Sequence, residues 1–306
     1  TLTLLGFLLF LRRTLTFLDW IWAAFLRPPK DLKEHYGSWA VLTGPTDGIG
    51  KALAFELASR GLNLVLVGRS PSKLRATTDE IYLHIRSPHV EIRTVVLDVA
   101  RSRGEEILGA IRNGIEGLDV GILVNNAGVG FPLPMFFHEM DAELVERSLR
   151  VNVEAASWVA KAVVPAMLRK GRGAVVNVGS GSSVVVPSYP LMTVYGATKA
   201  YVAMLSRCMS WEYKPHGIDI QCQIPLFVST KMTRMRRSRF MVASAEEYAR
   251  ASLRGMGYEQ LCCPLWTHSL QWAFFASVPD ALLNWFTFRY FLQVRERGLA
   301  KAQARS

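Results

Sequence analysis

Trp39-Ala-Val-Leu-Thr43-Gly44-Pro45-Thr46-Asp47-Gly48-Ile49-Gly50-Lys51 runs a short apolar strand into a turn whose glycines are spaced Gly-x-x-x-Gly-x-Gly. Glycines so placed permit a tight turn, close backbone approach to a pyrophosphate, and close packing of the next helix on its strand. That helix, expected over 48–60, turns its N-terminal N–H groups and positive dipole end toward phosphate. Gly44, Thr46, Asp47, Gly48, Ile49 and Gly50 are therefore expected to cradle a dinucleotide.

Outward from this turn the pattern alternates. Apolar strands at Trp39–Thr43, Asn63–Val67, Val90–Leu97, Gly121–Asn125, Ala174–Val178 and Ile218–Ile224 are separated by helical stretches near 48–60, 71–86, 102–115, 139–170 and 194–214. Such alternation predicts an α/β fold, a doubly wound parallel sheet of the Rossmann type with its functional loops at the carboxyl ends of the strands. A chain of 306 residues, 50% hydrophobic, accommodates one such domain with terminal extensions. No internal repeat or low-complexity stretch interrupts it.

The strand ends carry the specificity. Where a carboxylate would bind a ribose 2′-hydroxyl, the chain has Val67-Gly68-Arg69-Ser70, with Lys73 one turn on. Arg69 can pair with a 2′-phosphate as a planar fork, so NADPH is expected rather than NADH. Asp98, ending the third strand, can cap an adenine amino group. In Asn125-Asn126-Ala127-Gly128, Asn125 and Ala127 are expected under the cofactor, while Asn126 ties strand ends together.

Tyr195 and Lys199 stand four apart, on one face of a helix. An ammonium near a phenol favours the phenolate and makes the phenol a better acid. One proton from Tyr195 and one hydride from the cofactor would reduce a ketone. A hydroxyl to hold the carbonyl comes from Ser180, Ser182 or Ser183; Ser182, thirteen residues before Tyr195, is preferred, with Ser180 in reserve. Asn152, in Arg150-Val-Asn-Val-Glu154, can hold a water feeding protons to Lys199, or simply bond backbone. No His/Cys/Glu cluster suits a metal.

Composition bounds the partners. Twelve Lys/Arg against five Asp/Glu after residue 230 place seven of the eleven net positive charges in the last quarter. With aromatic and apolar runs beside them and no nucleic-acid motif, these charges favour a membrane or a phosphate-bearing substrate over nucleic acid. Four cysteines without a CxxC pair fit reduced thiols, and no Asn-x-Ser/Thr sequon occurs, as expected of a cytosol-facing domain. Residues 1–27 hold two apolar runs split by Arg12-Arg13, each too short to span a bilayer alone. They are expected to be a membrane-anchoring segment; a signal-type segment or an amphipathic helix packed on the domain are the alternatives. With Thr1 rather than Met in first place, the natural start is expected upstream. Residues 256–306, rich in Trp and Phe, read as a membrane-surface contact or as a helix pair closing a substrate pocket or dimer face.

Together these motifs resemble the short-chain dehydrogenase/reductase family over roughly 38–255, taken as the NADP-binding reductase domain. The resemblance maps the family's Asn–Ser–Tyr–Lys set onto Asn152, Ser182, Tyr195 and Lys199, and adds Val228 and Thr230 to the cofactor contacts. Thr43-Gly-Pro-Thr-Asp-Gly-Ile-Gly50 is similar to the membrane-bound very-long-chain 3-oxoacyl-CoA reductases and 17β-hydroxysteroid dehydrogenases. Pro187-Ser-Tyr-Pro190, Gly217-Ile-Asp-Ile-Gln-Cys-Gln-Ile-Pro225, Ser229-Thr-Lys-Met232 and Met241-Val-Ala-Ser244 resemble the plant reductases of fatty-acid elongation. That resemblance implies reduction of a long 3-oxoacyl-CoA at the endoplasmic reticulum membrane, the catalytic domain facing the cytosol, beside a condensing enzyme, a dehydratase and an enoyl reductase. Arg234, Arg236, Arg237 and Arg239 could then meet CoA phosphates, or form a solvated basic face; Phe227, Met232 and Met235 could line an acyl channel, or be plain core. Two departures stand out: Pro225-Leu226 where many members have Pro-Gly, and a Lys301-Ala-Gln-Ala-Arg-Ser306 end without a dilysine signal, which leaves retention to membrane segments or partners. A steroid dehydrogenase and a non-catalytic NADP-binding membrane scaffold are the rival readings.

Overall fold

The computed structural model describes residues 2–85, 90–238 and 240–304. From the N-terminus, α1 (Leu2–Ile21) passes through a π turn at Trp22–Leu26 to the short α2 (Leu32–Tyr36), capped by Asp31. Then strands and helices alternate: β1 (Trp39–Thr43), α3 (Gly48–Ser59), β2 (Asn63–Gly68), α4 (Pro71–His84), β3 (Ile92–Val96), α5 (Gly104–Ile115) and β4 (Val120–Asn125). α4 starts where Ser70 caps it and Pro71 fixes its first φ. After α6 (Ala142–Leu149), a π turn at Arg150–Glu154 leads into α7 (Ala155–Lys170), which Gly171 ends at a φ of +65°. β5 (Gly173–Val178), the single turn α8 (Gly181–Val184), α9 (Thr193–Tyr213) and β6 (Ile218–Gln223) follow. The chain closes with β7 (Val228–Ser229), β8 (Ala243–Ser244), α10 (Ala245–Arg254), β9 (Leu261–Cys262), α11 (Trp266–Ser277) and α12 (Asp280–Gln303).

β1 is buried at every residue, as a central strand covered on both faces must be. The main sheet has the order β3-β2-β1-β4-β5-β6-β9, all parallel, so the direction of strand addition reverses between β1 and β4. Period-2 alternation splits the core. Leu42, Leu64 and Leu66 face α3 and its Leu53 and Leu57 on one side, while Val41 and Val65 face Ile111 of α5 and Val163 of α7 on the other. Each fully buried leucine contributes about 2 kcal/mol.

Three sequence expectations change. The single helix expected over 139–170 is interrupted by the π turn at Arg150–Glu154, whose extra residue re-aims the side chains around Asn152. β3 is shorter than Val90–Leu97 because it is the sheet's edge and partly exposed. Past residue 255, where the reductase domain was expected to end, β9 pairs with β6 and extends the sheet. Residue 86, placed in the second helix, lies outside the described residues.

The termini differ in how they attach. α1 buries none of its residues, and Leu2, Phe10 and Phe17 are each more than half exposed. No described helix is long and apolar enough to cross a membrane. The chain meets the body at Arg27, which pairs with Glu259 and lies 3.9 Å over the Tyr258 ring, and at Lys30, 2.9 Å from Asp219. α12 is held by Arg295, whose guanidinium spans both Glu139 oxygens at 2.7 Å.

Inside the sheet, Asn177 is wholly buried, donates to Ser206 Oγ at 2.9 Å and accepts from Asn125 Nδ2 at 2.9 Å. Asn177→Ala removes both bonds and leaves Asn125 and Ser206 each one hydrogen bond short in the core, with the Ala156 and Val202 carbonyls remaining to them, so urea unfolding should show a stability loss of about 2–4 kcal/mol.

Candidate active site

Gly44 has a φ of +68°, and a Cβ there would lie 3.1 Å from Ala127 Cα. At Gly50 a Cβ would come within 2.1 Å of the Gly44 oxygen and 2.3 Å of Asn126 Nδ2. No side chain fits at Gly50, and the left-handed φ makes Gly44 costly to replace. Asp47 caps α3 through the Gly48 N–H at 2.8 Å and pairs with Lys231 at 3.0 Å. Asn126 Nδ2 donates to the Thr43 and Gly44 carbonyls, both at 3.1 Å, so Asn126 does tie the strand ends together.

Between this turn and the segment after β6 lies a cleft of about 300 Å³. Gly44, Thr46, Asp47, Gly48, Ile49, Gly50, Ala127, Val228, Thr230, Tyr195 and Lys199, all expected from the sequence, line it together with Ser180. Gly128, Leu226 and Met232, each inside a motif quoted above but not assigned to the cofactor, also line it, as does Val129, whose loop position gives no periodic or motif signal. Asn125 does not. Its amide turns into the sheet, to Asn177 Oδ1 at 2.9 Å and the Ala156 carbonyl at 3.2 Å, because a strand residue's neighbour points to the opposite face.

A second recess, about 260 Å³, lies where β2 and β3 end, lined by Arg69, Arg101, Arg147 and Arg150 together with Asp98, Glu143 and Glu146, the last 3.5 Å from Arg150. Arg147 and Arg150 come from the far side of β4 and were not anticipated. Lys73 is not on this recess; it sits exposed in the first turn of α4, its backbone N–H capped by Ser70. A glycine-floored cleft at a helix N-terminus, with arginines at the end of β2, fits a dinucleotide carrying a 2′-phosphate. Among the described residues no group of three His, Cys, Asp or Glu converges as metal ligands.

α9 presents Tyr195 and Lys199 one turn apart to this cleft. Lys199 is 7% exposed and donates to the Val178 carbonyl at 2.9 Å. Burial brings its pKa down to about 8, against a smaller upward pull from the neighbouring Cys222 thiol. Tyr195 departs from the expectation: burial raises its pKa, opposed only by a hydrogen bond with Ser180, and the Lys199 ammonium spends its bond on Val178. The phenol is held protonated, a donor in waiting.

The serine expectation is corrected. Ser180, not Ser182, meets the Tyr195 hydroxyl. Ser182 lies behind it in α8, donating from Oγ to Ser180 Oγ at 2.9 Å. Counting thirteen residues misses this because the chain between β5 and α9 folds a full turn of helix before its loop. Asn152 is likewise a clamp rather than an open water site: Oδ1 accepts from the Val129 N–H at 2.8 Å, and Nδ2 donates to the Val129 carbonyl at 3.0 Å and Thr198 Oγ1 at 3.1 Å. Asn152 and Lys199 still meet over Gly128, where a Cβ would lie 3.4 Å from one and 3.5 Å from the other.

Beyond Tyr195, Tyr189 stands 6.3 Å from its ring and edge-on to Phe291 of α12 at 4.8 Å. Arg237 is paired with Glu247, Arg234 is exposed, and Arg239 lies outside the described residues. A larger cavity of about 690 Å³, walled by Trp20, Phe25 and Trp266, includes Glu247 but none of Tyr189, Tyr195 and Phe291.

The short chain dehydrogenase family model matches residues 38–239. A very-long-chain 3-oxoacyl-CoA reductase-like protein of Arabidopsis thaliana is 46% identical over 301 residues, covering 97% of this chain and 94% of that one. An inactive hydroxysteroid dehydrogenase-like protein 1 of Homo sapiens is 37% identical, covering 83% and 76%. A short-chain dehydrogenase from Sphingobium yanoikuyae, solved in complex with NADPH, superposes with a TM-score of 0.64 at 28% identity over 79% of this chain and 97% of its own.

In a turnover assay Ser180→Ala should cost about a hundredfold, and Ser182→Ala only several-fold, since Ser182 acts through Ser180. Gly50→Ala, forced against Gly44 and Asn126, should abolish NADPH binding in a fluorescence titration.

Proposed function

The chain belongs to the short-chain dehydrogenase family, and from that membership we propose that it reduces the 3-keto group of a long 3-oxoacyl-CoA to the 3-hydroxyacyl-CoA. The glycine turn, with Arg69, Arg147 and Arg150 at the 2′-phosphate, would hold NADPH, which when bound would supply the hydride. Ser180 donates a hydrogen bond to the ketone oxygen. Tyr195 donates the proton that converts the developing alkoxide to an alcohol. Lys199 stands behind Tyr195 as the ammonium that stabilises the phenolate left there, and Asn152 holds the Val129 loop over which Lys199 acts.

The observation that carries this reading is one juxtaposition: Tyr195, Ser180 and Lys199 lining the same cleft as the glycine turn. The acyl-CoA substrate is supported by the likeness to the Arabidopsis reductase-like protein along nearly the whole chain. A 3-oxoacyl-CoA is the product of a condensation, and a 3-hydroxyacyl-CoA is what a dehydratase consumes, so we place the chain beside a condensing enzyme, a dehydratase and an enoyl reductase. The bare apolar surface of α1 supports attachment to a membrane, that of the endoplasmic reticulum in this reading, with the cleft on the cytosolic side. The inactive human relative favours a second reading, an NADP-binding scaffold without turnover; the presence of both Tyr195 and Lys199 in the cleft speaks against it.

NADPH oxidation measured across 3-oxoacyl-CoA chain lengths, with estrone and NADH as controls, separates the readings. Long acyl-CoA with NADPH should turn over best. Turnover of estrone alone would favour a steroid dehydrogenase, and NADPH binding without turnover of either would favour a scaffold. A pH profile tests Lys199. A lysine lowered to about 8 keeps its ammonium below that pH and loses it above, whereas Tyr195, raised, keeps its proton throughout. Reduction should therefore fall as pH rises through about 8, and the residual activity of Lys199→Arg should lack that limb.

A further inference from the structure

His268 lies on α11, beyond the stretch expected to form the catalytic domain, and is wholly buried. Its Nδ1 is 3.3 Å from the Leu226 backbone nitrogen, and its Nε2 is 3.2 Å from the Phe227 carbonyl oxygen. A backbone N–H can only donate and a carbonyl can only accept, so the ring is neutral with its hydrogen on Nε2. Tyr248 of α10, also wholly buried, packs beside it with ring centroids 6.2 Å apart. α11 is seated independently, through Trp272 and Phe275 against the core that includes Cys222 and Ile224.

The two backbone groups His268 holds belong to the wall of the cleft, where Pro225, Leu226 and Val228 face the glycine turn. Backbone bonds also reach this segment: the Gly181 N–H donates to the Pro225 carbonyl at 3.0 Å, and the Ala243 N–H donates to the Phe227 carbonyl, shared with His268, at 3.0 Å. Among the described residues, the imidazole alone reaches both the Leu226 donor and the Phe227 acceptor, and its two nitrogens set the peptide plane between them.

We propose that His268 is a positioning residue for the cofactor: it locks the backbone from Pro225 to Val228 and so sets the affinity of the cleft for NADPH. The proposal rests on the reading of that cleft as the NADPH site. It makes α11 part of the cofactor machinery rather than an appendage.

Two variants and one spectrum test it. Glutamine can accept from Leu226 with its carbonyl and donate to Phe227 with its amide, whereas leucine can do neither. NADPH titrations should show His268→Leu at least about tenfold weaker than wild type and His268→Gln within about threefold. Wild-type affinity in folded His268→Leu, even at a lower melting temperature, would reduce His268 to packing and overturn the proposal. So would equal weakening in both variants. Nitrogen spectra of histidine-labelled wild type, which need no variant to fold, should show one ring protonated at Nε2 with no titration between about pH 6 and 8, as its burial-lowered pKa of about 4 requires. A ring protonated at Nδ1 would overturn the proposal too. Wild type that binds no NADPH would overturn the cleft reading itself, and is told apart by failing before any variant is made.

Discussion

Asn126 Nδ2 donates to the carbonyls of Thr43 and Gly44, and Thr43 Oγ1 accepts from the backbone nitrogens of Asn126 and Ala127 at 3.0 Å each. These bonds join the carboxyl ends of β1 and β4 at the point where strand order reverses, the place where an open parallel sheet offers a crevice. They are short-range and largely shielded from water, so each counts for more than a surface bond would. They hold the glycine turn against Ala127, and this is why Gly50 has no room for a Cβ. The neighbouring strands fall into line behind them. Asn125 and Asn177 tie β4 to β5, Ser206 ties β5 to α9, and α9 then delivers Tyr195 and Lys199 to the same crevice.

Lys199 shows how that crevice sets chemistry. An ammonium taken out of water must be given an acceptor, and the Val178 carbonyl at the end of β5 is the one at hand. Its pKa falls because burial outweighs the upward pull of the nearby Cys222 thiol. The sheet thus supplies the restraint on the lysine, and the lysine supplies a positive charge that can be lost near neutral pH. Tyr195, on the same face of α9, is held protonated by desolvation, against the pull of a hydrogen bond with the Ser180 hydroxyl.

Much of this is legible in the sequence alone. Strand and helix boundaries in the body follow from apolar periodicity, and the glycine spacing and the Tyr195–Lys199 interval each carry a geometric meaning that survives folding. What failed did so where local spacing is silent. Ser180 and Ser182 differ only in which one the first turn of α8 hides, and Asn125 and Asn126 differ only in which face of β4 they take. Arg147 and Arg150 reach the recess beside Arg69 from an element far along the chain, and β9 is two residues long, too short for any pattern to announce it. The C-terminal extension read equally well as membrane contact or pocket wall. α12 turns Leu283 and Phe291 inward, Phe291 onto Tyr189 beside Tyr195, and leaves Trp285 and Phe286 more than half exposed.

The central claim is that a protonated Tyr195, and not merely a bound cofactor, completes the reduction. Tyr195→Phe removes one oxygen and leaves the glycine turn, Arg69 and the sheet untouched. Measured side by side in the purified protein, NADPH affinity should stay at the wild-type value while turnover of the ketone falls by about a thousandfold. Turnover that persists in the phenylalanine variant would contradict the account.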